Sequence, residues 1–257
     1  AFVGYLGDGM LDSVAIGEVF ASPPALAFYD AIVDADQGEG VAVLFGNYAG
    51  DNMNVKMAVQ MAEDDDIEVK YVVANDDVAS APKAVKEQRH GIAGGFFMWK
   101  VGGARAAKGG SLDDVIASAQ NVVNRTKSIC VGLEPCVIPA LGHSNFKIED
   151  GTMEFGVGHH GEAGTKVEKL KSASEMAQEM AETILNDFDF EEGKEVAVML
   201  SSLGATPVME LYVLYDEVEK VLAKAGHKVW KTYIGNYVTS LDMNGASLTI
   251  VDLDDEI

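Results

Sequence analysis

Two adjacent histidines in a glycine-rich segment are the residues best suited to chemistry in this 257-residue chain. The segment, residues 153–164, reads Met-Glu-Phe-Gly-Val-Gly-His-His-Gly-Glu-Ala-Gly. Its apolar start predicts a strand that stops at Gly158, and the glycines around the pair allow backbone conformations that other residues resist. Side chains at a strand end on such a turn are usually displayed rather than packed. We therefore expect both His159 and His160 to face a ligand.

The same segment formally matches the G-x-G-x-x-G pattern of dinucleotide-binding proteins. That site also needs a helix opening at the third glycine and an acidic residue about 20 positions further on, whereas here the loop continues and the next helix is predicted only at Ser172. The patterns G-x-x-x-x-G-K-[ST], H-E-x-x-H and G-x-S-x-G are absent. His160-Gly-Glu162 and Pro135-Cys136 match pieces of zinc deaminases only in reversed order and without a second cysteine. We expect no metal and no cofactor bound by this chain.

A carboxylate, Asp51, follows a predicted buried strand and lies at the start of a predicted helix. It could act as a base at the carboxyl end of a parallel strand, where open α/β sheets bind ligands. It could equally be a helix-start carboxylate that stabilises the helix by about 1 kcal/mol, and the two roles are compatible. Asp76 and Asp77 also follow a predicted strand, and for them we expect a solvated turn.

The remaining histidines and the two cysteines carry weaker signals. His90, His143 and His227 stand alone in polar or loop contexts, so we expect them at the surface. Cys130 and Cys136 are expected to be packed thiols, because two cysteines cannot build a disulfide framework and suit a reduced, cytoplasmic protein.

The elements that must position these groups alternate between strand and helix in the first half of the chain, which indicates a parallel sheet. Short strands separated by proline and glycine follow from residue 129. The fold class predicted is α/β with two domains, 1–127 with a largely parallel sheet and 128–257 with a mixed sheet. The strands are expected at 41–45, 68–74, 129–133, 146–148, 153–157, 196–200, 228–234 and 246–251. The helices are expected at 24–33, 52–63, 82–89, 92–108, 112–125, 172–188 and 208–225.

The net charge of −22 excludes nucleic acid and anionic membrane surfaces as partners, since phosphates would be repelled. No apolar run approaches the 18 or so residues of a membrane span, and the N-terminal sequence lacks the basic region of a signal peptide. We therefore expect a cytoplasmic protein.

Several segments together resemble the substrate-binding subunit of dihydroxyacetone kinases, in the order of that family and over essentially the whole chain. The segments that carry the resemblance are Gly17-Glu-Val-Phe-Ala-Ser-Pro23, Gly46-Asn-Tyr-Ala-Gly-Asp51, Asn75-Asp-Asp-Val78, Arg89-His-Gly-Ile-Ala-Gly94, residues 153–164, Leu203-Gly-Ala-Thr-Pro207 and Ser240-Leu-Asp-Met243.

The resemblance implies a role for each candidate residue. His160, in the G-x-H-G-E segment, would form a covalent hemiaminal with the ketone carbon of a short-chain ketose such as dihydroxyacetone. Asp51 would act as base on the terminal hydroxyl. The family fold is two α/β domains in a homodimer, and a partner subunit or domain holds the Mg nucleotide. The alternative is a ketose sensor that phosphorylates nothing and acts as co-activator of a transcriptional regulator.

The chain also departs from the family pattern. Gly46 stands where the family has lysine, Ala163 where it has proline, and His159 where it usually has an apolar residue. The family's G-S-G-H-E-P segment, with a second active-site histidine, would lie immediately before Ala1, so we expect the first domain to lack its N-terminal part. Gly46 and the opening Ala-Phe-Val-Gly-Tyr are closer to a branch containing tetrulose kinases and a regulatory paralogue.

Overall fold

The computed structural model describes residues 2–144, 146–188 and 193–257, which form two compact units. The first unit contains residues 2–75, 95–124 and 257, and the second contains 76–94 and 125–256. The α-helices are α1 (Ala25–Ala35), α2 (Ala49–Asp64), α3 (Gly95–Ala107), α4 (Leu112–Asn124), α5 (Ala173–Asp187) and α6 (Val208–Lys224). The strands are β1 (Val41–Gly46), β2 (Val69–Ala74), β3 (Thr126–Glu134), β4 (Thr152–Phe155), β5 (Lys166–Lys169), β6 (Glu195–Ser202), β7 (Lys228–Gly235) and β8 (Asn244–Asp252).

The first unit is built on a two-stranded parallel sheet. β1 pairs with β2 from Val41 opposite Val69 to Gly46 opposite Ala74. Apolar side chains of α1 and α2 pack with those of β1 in one core, whose buried members are Phe28, Ile32, Val41, Phe45, Val55, Ala58 and Ala62. The predicted parallel pairing is confirmed, and the carboxyl end of β1 leads directly into the loop that carries the start of α2.

The second unit contains a six-stranded mixed sheet in the order β5-β4-β3-β8-β6-β7. Only β6 and β7 pair in parallel, and the other neighbours are antiparallel. The central strands β3, β6 and β8 are buried along nearly their whole length. This agrees with the apolar run of β6, whereas β3 and β8 also bury serine and threonine side chains. The α/β class, with a parallel sheet first and a mixed sheet second, is confirmed.

Side-chain caps are present at the starts of two of the predicted helices. Ser172 accepts a hydrogen bond from the backbone N–H of Glu175, whose side chain in turn accepts from the N–H of Ser172, so α5 begins with a complete capping box. Ser111 and Asp114 make the equivalent exchange at the start of α4. Local side-chain chemistry therefore decides where both helices begin.

Two strand predictions were wrong. Residues 146–148 form no strand, and the edge of β4 away from β3 is paired by β5 instead. Strand β5 was not predicted: Lys166–Lys169 is a short, mostly exposed edge strand, and its charged residues carry little of the apolar signal on which strand prediction depends. Residues 82–89, predicted as helical, contain a 3₁₀ helix, Lys83–Gln88.

Residues 76–94 lie in the second unit, although the sequence places them in a first domain of residues 1–127. They are held there by backbone pairing at Ser128 and by a buried ion pair between Arg89 and Asp187, both of whose N–O distances are 2.7 Å. Arg89 also donates to the carbonyl of Ala81. The division into domains at residue 127 remains a prediction, as does the missing part before Ala1, which lies outside the described residues.

Among the described residues, none of the helices combines the length and the apolar character that crossing a membrane requires.

Candidate active site

His160 lies on a tight turn that follows β4. Gly156 directly after the strand and Gly161 within the turn have φ angles of +77° and +82°, which residues with a Cβ rarely adopt. The N–H of Gly161 donates to the carbonyl of Gly158, and the N–H of Gly158 donates to the carbonyl of Glu162. The chain therefore doubles back on itself and brings the side chain of Glu162 against His160.

Glu162 holds His160 at two points. Its Oε1 lies 2.9 Å from Nδ1 of the imidazole, and its Oε2 accepts the backbone N–H of His160 at 2.8 Å. A side chain at position 158 would collide with Glu162, so the contact requires Gly158. Burial alone would raise the pKa of Glu162, but the hydrogen bonds from His160 outweigh it and lower that pKa to about 2.

The two side chains of this pair are each 37% exposed. The prediction that His160 is accessible on its turn is therefore confirmed. A half-exposed imidazole oriented by a carboxylate is the arrangement from which histidine acts as nucleophile or base. From the sequence, Glu162 was identified only as part of the G-x-H-G-E motif. A glutamate two residues after a histidine, with a glycine between them, was nevertheless a usable signal of a contact between the two side chains.

The prediction that His159 is displayed was wrong, because the side chain is only 8% exposed. The turn therefore buries the side chain of His159 and leaves that of His160 accessible. Its Nδ1 lies 4.0 Å from Sγ of Cys130, its carbonyl accepts the hydroxyl of Ser240, and its Nε2 is buried without a hydrogen-bond partner. Burial, helped by the neighbouring His160, lowers the pKa of His159 to about 4.

The prediction that Asp76 and Asp77 lie in a solvated turn was wrong, because each residue is only 2% exposed. The carboxylate of Asp76 accepts the backbone N–H groups of Ile92 at 3.0 Å and Gly94 at 2.7 Å. Asp77 accepts the N–H of Ala79. Burial raises the pKa of both groups, that of Asp77 to about 7.

This acidic pair is close to the histidine turn in the second unit. A Cβ added at Gly156 would lie 2.6 Å from Cβ of Ala79, so the segment after Asp77 passes directly beside the start of the turn. The charge of Glu162 contributes to the raised pKa of Asp77. One hint of this burial is present in the sequence, because the two acids lie between an apolar strand and the apolar residues 78 and 79.

Asp51 belongs to the first unit. It lies in the first turn of α2, as predicted, and its Oδ2 accepts the hydroxyl of Ser22 at 2.5 Å. Gly50 makes this contact possible, because a Cβ there would meet the Ser22 hydroxyl. At the other end of the loop, the N–H of Asn47 donates to the carbonyl of Ala74 at the carboxyl end of β2. Asp51 thus lies where two parallel strands end, and its role as a base stays a prediction.

The other sequence candidates are structural. Cys130 and Cys136 are buried free thiols, as predicted. His143 is exposed, whereas His227 is buried, contrary to prediction. Gly226 adopts a φ of +85°, and the N–H of His227 then donates to Leu222, which folds His227 over the end of α6. Within the described ranges, no three or more His, Cys, Asp or Glu side chains form a group that could hold a metal ion.

Comparison with known proteins gives consistent matches over the whole chain. A model of the Dak1 domain family matches residues 1–257. The dihydroxyacetone-binding subunit DhaK of the PTS-dependent dihydroxyacetone kinase 1 from Listeria innocua is 41% identical over 256 residues, covering 100% of this chain and 78% of that protein. D-erythrulose kinase from Mycolicibacterium smegmatis is 37% identical over 257 residues, covering 100% of this chain and 44% of that protein.

A solved structure of a regulatory protein is also similar. The dihydroxyacetone kinase operon co-activator Dha-DhaQ superposes with a TM-score of 0.93 at 30% sequence identity, and the match covers 98% of this chain and 78% of that one.

Proposed function

The chain belongs to the Dak1 domain family, and from that premise we propose that it is the ketose-binding subunit of a dihydroxyacetone-type kinase. Its substrate is a short-chain ketose such as dihydroxyacetone, which it presents to a partner subunit for phosphorylation of the terminal hydroxyl. The observation that carries the proposal is the half-exposed imidazole of His160, held by Glu162 on a turn that only glycines can form.

Covalent capture explains how such a subunit selects a ketose. A neutral imidazole nitrogen can add to a carbonyl carbon, which a polyol such as glycerol does not offer. The product on His160 is a hemiaminal that keeps every atom of the ketose. The captured substrate is then fixed in position, and positioning supplies much of the acceleration in phosphoryl transfer.

Asp51 is the proposed base for the transfer step. A carboxylate there can accept the proton of the terminal hydroxyl as that oxygen attacks the phosphoryl group. Ser22 donates to one of its oxygens and fixes the orientation of the carboxylate. In this proposal the Mg nucleotide, or another phosphoryl donor, is held by the partner subunit, and the ketose-binding subunit forms a homodimer.

Carbon NMR with dihydroxyacetone labelled at its carbonyl carbon tests the capture. The carbonyl signal should be replaced by a protein-bound signal of a tetrahedral carbon, and native mass spectrometry should show a mass increase of one whole ketose. His160→Ala should abolish both signals, whereas His143→Ala, which removes an exposed histidine elsewhere in the second unit, should leave them unchanged. A wild-type protein without the tetrahedral signal would refute the proposal.

The likeness to a kinase operon co-activator supports one alternative, a sensor that captures the ketose without turnover. Both functions predict the adduct, so turnover with a cognate donor subunit separates them. Ketose phosphorylation by the reconstituted pair supports the kinase subunit, and stoichiometric capture without product supports the sensor.

A further inference from the structure

The carboxylate of Glu162 uses both of its oxygens on one residue, His160. Oε1 meets Nδ1 of the ring and Oε2 meets the backbone N–H. Because the ring and the backbone of His160 are both fixed by one planar group, the imidazole has little freedom to rotate. The backbone bond between Gly158 and Glu162 holds the carboxylate in turn.

This contact also determines which ring nitrogen carries the proton. An ionised carboxylate can only accept hydrogen bonds, and the strong charge-assisted contact with His160 keeps Glu162 ionised. Nδ1 of a neutral His160 must therefore be the protonated nitrogen. The lone pair then lies on Nε2, at the opposite side of the ring from Glu162.

We propose that Glu162 is a positioning residue for ketose capture, which fixes His160 in the tautomer with Nε2 as nucleophile and stabilises the positive charge that develops on the ring as the bond forms. The proposal rests on the proposed function, because it assigns a role within that capture step. It adds a second side chain to the machinery and makes the carboxylate, and not the imidazole alone, responsible for reactivity.

The step balances without any further reagent. The Nε2 lone pair forms the bond to the carbonyl carbon, and the π electrons of the carbonyl move onto its oxygen. The Nδ1 proton stays hydrogen-bonded to the ionised carboxylate of Glu162, which stabilises the positive charge on the ring. The alkoxide takes a proton from water, and the resulting hydroxide removes the Nδ1 proton. In sum, imidazole and ketone give the hemiaminal with no net gain or loss of protons.

Glutamine at position 162 is the informative replacement. Its amide has one accepting oxygen and one donating nitrogen, so it cannot accept from both the ring and the backbone N–H as the carboxylate does. It also carries no negative charge to stabilise the ring as the bond to the ketose forms. Glu154→Gln is a matched control, since Glu154 accepts the backbone N–H of Gly164 at 2.7 Å in the same loop without contacting the ring.

Two measurements test the assignment. Nitrogen NMR of the wild-type protein labelled in its histidines, without any ketose, should show His160 protonated at Nδ1 near neutral pH. Titration with carbonyl-labelled dihydroxyacetone should show that Glu162→Gln weakens adduct formation by about 10- to 100-fold, by analogy with the loss of a hydrogen-bond partner of a metal-ligating histidine. Glu154→Gln should change the adduct equilibrium less than about twofold, and Glu162→Asp should recover part of the loss as a conservative replacement.

The outcomes separate this inference from the proposed function. If wild type forms the adduct but Glu162→Gln forms it equally well with the same tautomer, the role of Glu162 is refuted and capture by His160 stands. If wild type forms no adduct, the proposed function fails, while the nitrogen spectrum still decides the tautomer. A wild-type His160 protonated mainly at Nε2 would overturn the assignment even if the Glu162→Gln protein does not fold.

Discussion

Replacing His159 with leucine should raise the stability of the second unit. The wild-type imidazole has a buried Nε2 without a hydrogen-bond partner of good geometry, and its Nδ1 lies 4.0 Å from the Cys130 sulfur. An unsatisfied buried polar group costs about 1–3 kcal/mol. Leucine has a similar volume and no polar atom, so we expect His159→Leu to increase the free energy of unfolding by about 1–3 kcal/mol at pH 7.5.

The same substitution should change how stability depends on pH. The pKa of His159 is about 4 in the folded protein against 6.5 for an ordinary histidine, so the unfolded chain binds the proton first as the pH falls. The stability that depends on a neutral His159 is therefore fully present above pH 6.5 and is lost progressively between pH 6.5 and 4. At 1.36 kcal/mol per pH unit, wild type should lose about 2 kcal/mol from this group by pH 5, and His159→Leu should not.

Hydrogen exchange measured by mass spectrometry on peptides from β3 and β8 is the suitable assay, because it reports the opening of the second unit alone. Wild type and His159→Leu are compared at pH 7.5 and pH 5, after correction for the intrinsic exchange rate. His143→Leu is the control, since that side chain is exposed and its removal should affect stability little at either pH. If both variants lose the same stability as wild type on acidification, the burial argument for His159 is refuted.

Two further substitutions probe groups outside the histidine turn. Asp51→Asn should lower kcat in the reconstituted kinase by about 100- to 10,000-fold, the range for a lost general base, with adduct formation nearly unchanged. Asp64→Asn, at the exposed far end of α2, should have no such effect, and equal activity of the two variants would contradict the assigned base. Arg89→Ala should destabilise the second unit by about 3–5 kcal/mol in urea unfolding, because it leaves Asp187 without its bidentate partner. A loss below 1 kcal/mol would show that solvent replaces the arginine.

The sequence predicted those features whose causes are local. A capping box needs only Ser172 and Glu175 three residues apart, and a buried strand such as β6 is evident from its unbroken apolar run. Asp51 was placed correctly because helix starts follow short-range rules. Pairing decides the rest: β5 is a strand because it pairs with the edge of β4 that β3 leaves open, whereas residues 146–148 pair with no strand.

The burial of individual polar side chains could not be predicted from the sequence. Asp77 and His159 are polar residues in glycine-rich or turn-like sequence, for which exposure is the usual state. Each is buried because distant segments cover it, the strand around Ser128 in one case and Ser240 in the other. His160 and His159 are adjacent in the sequence, so composition and spacing do not indicate which of the two is accessible and which is buried.

The excursion of residues 76–94 into the second unit has a consequence for synthesis on the ribosome. The chain crosses from one unit to the other after residues 75, 94 and 124. Arg89 therefore emerges 98 residues before Asp187, the partner that neutralises it. Within that interval β3 is complete only after residue 134 and α5 only at Asp187, and no single cut releases either unit whole. We infer that the second unit folds late, after a long non-local loop closes, and that a nascent chain stalled before Asp187 exposes residues 76–94 to chaperones and proteases.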